Sequence, residues 1–253
     1  FDSTPERARK TMTSERYNIY ALIHKGLRAW MCDVLTAVGR MDPHDSAEVA
    51  ATLGEVRALL AGCASHLEHE NDYLHPALEA RAPGSALATA REHAQHERSL
   101  ARLEESVAGV ERATGSARVA AAMELYRQLA LFIAENFEHM HAEETQNHAT
   151  LTAHYNEAEV FAIEQAIVGS LAPEETMTVM RWMAPAAAPQ ERAALLSGLQ
   201  QNAPRPAFEA VLELVKPYLT GREWAKLGAV IGPMPLGGDE SMAAAPAEER
   251  AAA

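Results

Sequence analysis

Two stretches of the chain, SHLEHENDYLHPAL and EHMHAEETQNHATL, each place a glutamate four residues after a histidine: His66 with Glu70, and His139 with Glu143. On a helix, residues i and i+4 share a face with Cβ atoms about 5 to 6 Å apart. Each pair can therefore reach one metal ion, or the glutamate can span two ions while the histidine ends on one. The stretches superpose at a constant offset of 73 residues, which also carries His75 onto His148 and Leu78 onto Leu151. An offset one residue shorter carries His24, in IYALIHKGLRAW, onto His96. The order is then H, HxxxE, H, HxxxE, with 42 residues from His24 to His66 and 43 from His96 to His139. Mixed imidazole and carboxylate donors suit iron, with zinc or manganese as substitutes, and the absence of cysteine ligands argues against an iron–sulfur cluster.

Such donors need rigid elements to hold them. Strand patterns are scarce, and Ala, Leu, Glu and Arg dominate, so the chain is expected to be all-α. Turn clusters (GRMDPHD, ARAPGS, ATGS) divide the front into four long segments: about Ser14 to Gly39, Asp45 or Ser46 to Glu79, Ser85 to Arg112, and Ser116 to Ala149. Long helices joined by short loops predict an antiparallel up-down-up-down four-helix bundle. Shorter helices follow, over Glu157 to Ser170, Pro173 to Met183, Pro189 to Gln201, Pro206 to Lys216 and Gly221 to Ile231, with Pro185, Pro204 and Pro217 as breaks. The expected organisation is a bundle over 15–152, a C-terminal group of short helices over 155–232, and a disordered Ala/Glu/Pro-rich tail over 233–253.

Composition narrows the function further. Of 253 residues, 22 are Lys or Arg and 35 are Asp or Glu, a formal net charge of -13, which disfavours a phosphate-binding surface for nucleic acid or anionic lipid. No apolar run is long enough for a membrane span, and two cysteines make no disulfide framework, so a reducing, cytoplasmic setting is expected. All 11 histidines lie at or before His154, so the later residues offer a metal no imidazole.

The HKGLR, HLEHEN, REHAQH and EHMHAEE stretches, in this order and spacing, resemble the hemerythrin-like (HHE cation-binding) family over roughly residues 15 to 152. That resemblance implies a four-helix bundle around a non-haem di-iron site that binds or reduces O2, NO or peroxide, or that handles or senses iron. It implies terminal ligands at His24, His66, His139 and at least one of His93 and His96, with Glu70 and Glu143 bridging. Oxygen carriers of the family place a bridging Asp after a longer gap on the last helix, so Glu143 directs the expectation away from an O2 carrier and toward a sensor, repair or peroxide-reactive member.

Around these residues, Tyr20, His69 and Tyr73 are expected to support the site from behind, His69 by holding Glu70. His75, His141 and His148 are expected to be exposed or near the bundle end, and Glu144 to lie on a solvated face. Trp182, Met183, Leu195, Leu199, Phe208, Leu212, Leu227 and Val230 are expected to form a second core or to pack on the bundle. The functional expectation is metal-centred binding of, or reaction with, a small diatomic ligand or peroxide. The rivals are an iron sensor, storage or delivery protein signalling through the C-terminal helices, and a structural protein with adventitious histidines. Those helices are also the expected surface for homo-oligomer formation.

Overall fold

The computed structural model describes residues 17–232, so the tail expected over 233–253 lies outside the described residues. Among the described residues the fold is all-helical, without strands. The long elements are α1 (Ala21–Arg40), α2 (Ser46–His69), α4 (Leu87–Arg112) and α5 (Gly115–Ala142). α1 packs on α2 and α5, and α4 packs on the same two helices, so the four close a ring of neighbours. Asp45 caps α2 by accepting from the backbone N–H groups of Ala47 and Glu48, as the Asp45–Ser46 signal predicts.

Apolar residues at helical spacing explain the packing. Leu27, Trp30, Val34 and Val38 of α1 face Leu53, Val56, Leu60 and Leu67 of α2, Leu103, Val107 and Val110 of α4, and Leu125, Leu129 and Phe132 of α5 in one buried cluster. A smaller cluster holds Ile19, Tyr20, Leu74, Leu78, Leu151 and Val160. In sequence, His24 falls between Tyr20 of the small cluster and Leu27 of the large one, and Glu70 falls between Leu67 and Leu74. The chemistry-bearing residues continue the core stripes, between two apolar regions.

Helical periodicity hides one feature of the two long segments that carry HxxxE. Each is interrupted by a π-helical turn, Glu70–Leu74 before α3 (His75–Arg81) and Glu143–Asn147 before α6 (His148–His154). The two turns lie 73 residues apart, and each opens on a buried glutamate of the motif. Pro76 follows the first turn but Ala149 stands at the matching place after the second, so proline is not their common cause. Single π-turns inside α-helices recur at functional sites.

Compact packing divides the chain between Ala187 and Ala188. The compact unit extends past the boundary expected near residue 155: α7 (Glu157–Ser170) and α8 (Pro173–Ala186) belong to the first unit. α8 lies along α1, where Trp182 stacks on Trp30 with ring centroids 5.4 Å apart. A Cβ on Gly26 would come within 2.9 Å of the Met183 backbone, so the glycine is what lets the two helices approach. Pro185 does not end α8 but lies in its last turn. In the second unit, α9 (Pro189–Asn202), α10 (Arg205–Val215) and α11 (Gly221–Ile231) bury Leu196, Phe208, Leu212 and Leu227. Trp182 and Met183 thus pack in the first unit, and Val230 is exposed rather than part of a second core.

Candidate metal centre

Two groups of donor atoms form within the first unit. His24, His66, Glu70 and Glu143 make one, and Glu70, His93, His139 and Glu143 make the other, with the donor atoms of each group all within 4.8 Å of one another. The two glutamates are common to both. Glu70 directs Oε1 to Nε2 of His66 at 3.3 Å and of His24 at 3.6 Å, and directs Oε2 to Nε2 of His93 at 3.3 Å. Glu143 mirrors it, with Oε2 at 3.6 Å from His24 Nε2, and Oε1 at 3.3 Å from His139 Nε2 and 3.5 Å from His93 Nε2. Each carboxylate offers one oxygen to each half.

Both glutamate side chains are buried, and none of their four oxygens has a hydrogen-bond partner. A buried carboxylate without partners costs several kcal/mol unless a cation compensates it. Histidine Nε2 atoms, which supply lone pairs when neutral, surround these oxygens on both sides. Donors about 2.1 Å from a common ion lie roughly 3 Å apart when they meet at right angles, close to the separations found here. The residues present therefore fit two cations bridged by two carboxylates.

The remaining ring nitrogens explain why Nε2 faces inward. His24 donates Nδ1–H to Glu144 at 3.1 Å, and Arg28 holds the same carboxylate oxygen at 2.5 Å. His93 donates to the Asn71 amide oxygen at 2.8 Å, and His139 to Glu92 at 2.7 Å. Such bonds fix the tautomer and the ring orientation of metal-binding histidines. They run in sequence around the ring of helices: a residue next to the α2 motif braces the α4 histidine, one on α4 braces the α5 histidine, and one next to the α5 motif braces the α1 histidine. His66 alone has no such partner among the described residues.

Charge in the metal-free protein follows from the same contacts. Burial acts to lower His24 and His93, but the carboxylates beside them outweigh it: Glu144 and Glu70 carry His24, and Glu143 and Glu70 carry His93, each up to about 9. His139 is also raised, because Glu143 and Glu92 outweigh its burial. His66 is lowered to about 4, where burial prevails over the charge of Glu70. Burial opposes ionisation of Glu70, yet His66, His24 and His93 hold its carboxyl well below the usual range. Glu144 is held near about 2 by His24 and Arg28 against the effect of burial.

The expected site residues divide on this geometry. His24, His66, Glu70, His93, His139 and Glu143 come together, whereas His96 joins neither group. Its ring stands edge-on to His139 at 4.9 Å and to Phe132 at 5.9 Å, and burial pushes it down to about 4. His93 and His96 are three residues apart and differ by about 60° around a helix, so α4 buries both while only His93 brings its Nε2 to the two glutamates. Tyr20 is buried beside His24, and its hydroxyl makes no hydrogen bond of ordinary geometry. Burial and the charges of Glu70 and Glu143 push its pKa well upward, only partly countered by Asn147. His69 does not hold Glu70: it approaches Ser65 and Glu175 and stacks on Tyr73. Tyr73 is thus tied to His69, away from the donor groups.

Other expectations change. His75 is buried, stacked on His93 at 4.6 Å and bonded to Thr89, rather than exposed. Glu144 is a brace and not part of a solvated face. Glu144, Glu92 and Asn71 each sit one residue from a motif residue, and that adjacency was the available signal for them. Cys63 is buried and its thiol pushed up to about 12 by burial, so it offers no thiolate.

Among known families, the model of the hemerythrin HHE cation-binding domain matches residues 17–151, just over half of the chain. Comparisons with curated proteins and with solved structures gave no match.

Proposed function

The chain belongs to the hemerythrin HHE cation-binding domain family, and from that premise we propose that it is a di-iron protein that binds or reacts with O2, NO or peroxide. The four long helices are read as the family's antiparallel up-down-up-down bundle. The observation that carries the proposal is the split of each carboxylate: Glu70 and Glu143 give one oxygen to the His24–His66 half and one to the His93–His139 half. Two bound irons would supply the electrons and the Lewis acidity for a small oxidant. His24, His66, His93 and His139 would hold them, with Glu70 and Glu143 bridging.

The rest of the chemistry lies with the chain. Glu144, Asn71 and Glu92 hold the Nδ1 protons of His24, His93 and His139 and so direct their Nε2 atoms toward the centre. The two apolar clusters exclude bulk water, which limits stray oxidation. Tyr20 keeps its proton at Oη above the carboxylates, where it can donate a hydrogen bond to a small ligand. The cytoplasmic setting expected from two unpaired cysteines is part of the same proposal. No helix among the described residues is long and apolar enough to cross a membrane.

Elemental analysis with an optical spectrum under anaerobic and aerobic conditions tests this reading. Reconstituted protein should hold two irons per chain and develop charge-transfer bands with oxygen or azide. Folded protein that takes up no iron would overturn it.

A second reading, iron sensing without turnover, is favoured by one observation. α7 packs on the π-turn that opens at Glu70, and Glu175 of α8 accepts a hydrogen bond from Ser65, the neighbour of His66. Iron-dependent hydrogen-exchange protection of α7 and α8, with no consumption of peroxide or O2, would select it.

A further inference from the structure

The first unit contains a cavity of about 180 Å³ walled by α1, α2, α7 and α8. For comparison, an engineered apolar cavity of about 150 Å³ binds benzene. Its walls are mainly apolar, with Ile23, Trp30, Ile167, Val179 and Trp182 among them. Two of its walls, α7 and α8, lie beyond the residues matched by the family. α8 is fitted closely to α1, where Gly26 admits the Met183 backbone, and between α1 and α2 Gly62 leaves room for the Trp30 ring, which a Cβ would meet at 2.5 Å. Hydrogen bonds from Tyr17 to Glu164 and from Ser65 to Glu175 tie α7 and α8 down.

The polar part of the wall gives the cavity a direction and a charge preference. His66, Glu70 and Tyr20 form its inner side, and Glu164 and Glu175 also line it. No lysine or arginine is in the lining among the described residues. Carboxylates without a cation disfavour an anionic guest such as a fatty acid, whereas apolar walls with a few polar groups suit a neutral organic molecule.

We propose that this cavity binds a neutral, apolar, ring-sized molecule and holds it against the His66–Glu70 side of the centre. Binding itself requires no metal; only its position beside an ion rests on the di-iron reading.

Benzene and cyclohexanol are the probes, titrated calorimetrically into the full chain, metal-free and iron-loaded. Fluorescence of Trp30 and Trp182, which both line the cavity, provides a second readout. One saturable site is expected in both forms, with octanoate binding the metal-free protein about tenfold more weakly or worse. Val179→Phe and Ile167→Phe, on different helices, should each weaken benzene binding by about tenfold or more while iron content stays at the wild-type value. In the iron-loaded protein, benzene should also shift the optical bands of the centre. Circular dichroism identifies a filled variant that does not fold, in which case the variant on the other helix decides. Absence of saturable binding, equal binding to a folded filled variant, or octanoate binding the metal-free protein as tightly as benzene would overturn the proposal. Wild-type protein that binds benzene but no iron would refute the metal reading and leave the cavity assignment standing.

Discussion

Around His93 and His139 both imidazoles are braced from behind, by Asn71 and Glu92, and His75 stacks on the first of them. Around His24 and His66 only one is braced, by Glu144 with Arg28, and the other borders an apolar cavity. The halves share the same HxxxE pattern, the same π-turn and the same two glutamates. What separates them is the neighbouring helices: α7 and α8 leave a cavity beside the first half. A repeated motif thus yields one half braced at both imidazoles and one half bordering a cavity, and the latter is where a small ligand is expected to enter.

The largest expected effect removes the comparison altogether. Because both halves depend on Glu70 and Glu143, the double variant Glu70→Gln, Glu143→Gln should lose both ions, measured as metal per chain. Full stoichiometry in the folded double variant would mean that these carboxylates are not ligands.

The pH dependence separates the halves. Metal must displace the protons that His24 and His93 hold up to about 9, so affinity should rise with pH up to that point, on the order of tenfold per pH unit for each proton displaced. The second half, in which His139 is raised as well as His93, should show the steeper rise; in the first, His66 is already neutral above about 4. Calorimetric iron titrations at several pH values would resolve two slopes.

Stability of the metal-free protein follows with its own signs. The raised His24 and His93 stabilise it below their unfolded value of 6.5, and that contribution is lost as pH climbs through about 9. His66 and His96, lowered to about 4, act in the opposite sense: between 6.5 and 4 the unfolded chain takes up protons that the folded chain does not. The melting temperature of the metal-free protein should therefore fall on both sides of pH 6.5.

Glu144→Gln and Glu92→Gln should each lower metal affinity by about 10- to 100-fold, the usual cost of losing a partner behind a metal-binding histidine. Glu144 should matter more, because its side chain is 22% exposed where that of Glu92 is 45% exposed. Equal losses would mean that bracing does not distinguish the halves. The smallest effect is expected for His96→Leu, which should keep both ions, while His93→Ala should empty the His93–His139 half.

The repeat made much of this centre legible. The fixed spacing of His66 with Glu70 and of His139 with Glu143 is a property of a single helix turn, and such local geometry can be read from sequence. Helix boundaries were legible for the same reason: the Asp45 cap and the proline-opened short helices depend on adjacent residues. Glu144 was not recognised because its partners, His24 and Arg28, lie 120 and 116 residues away. The burial of His75 was not legible because it depends on α4 packing over it. The π-turns were hidden because an inserted residue leaves the apolar stripe looking continuous.

By itself, then, the sequence determined that this protein is helical and that it carries two matched histidine–glutamate pairs, because helix formation and i,i+4 geometry are set within a few residues. The tertiary structure buries both His93 and His96, but brings only the first within reach of the two glutamates. It also decided which neighbours hold the rings, and that the His24–His66 half borders a cavity. Those outcomes depend on the rotation and closest approach of helices distant in sequence, and on the room left at Gly26 and Gly62, which no local pattern encodes.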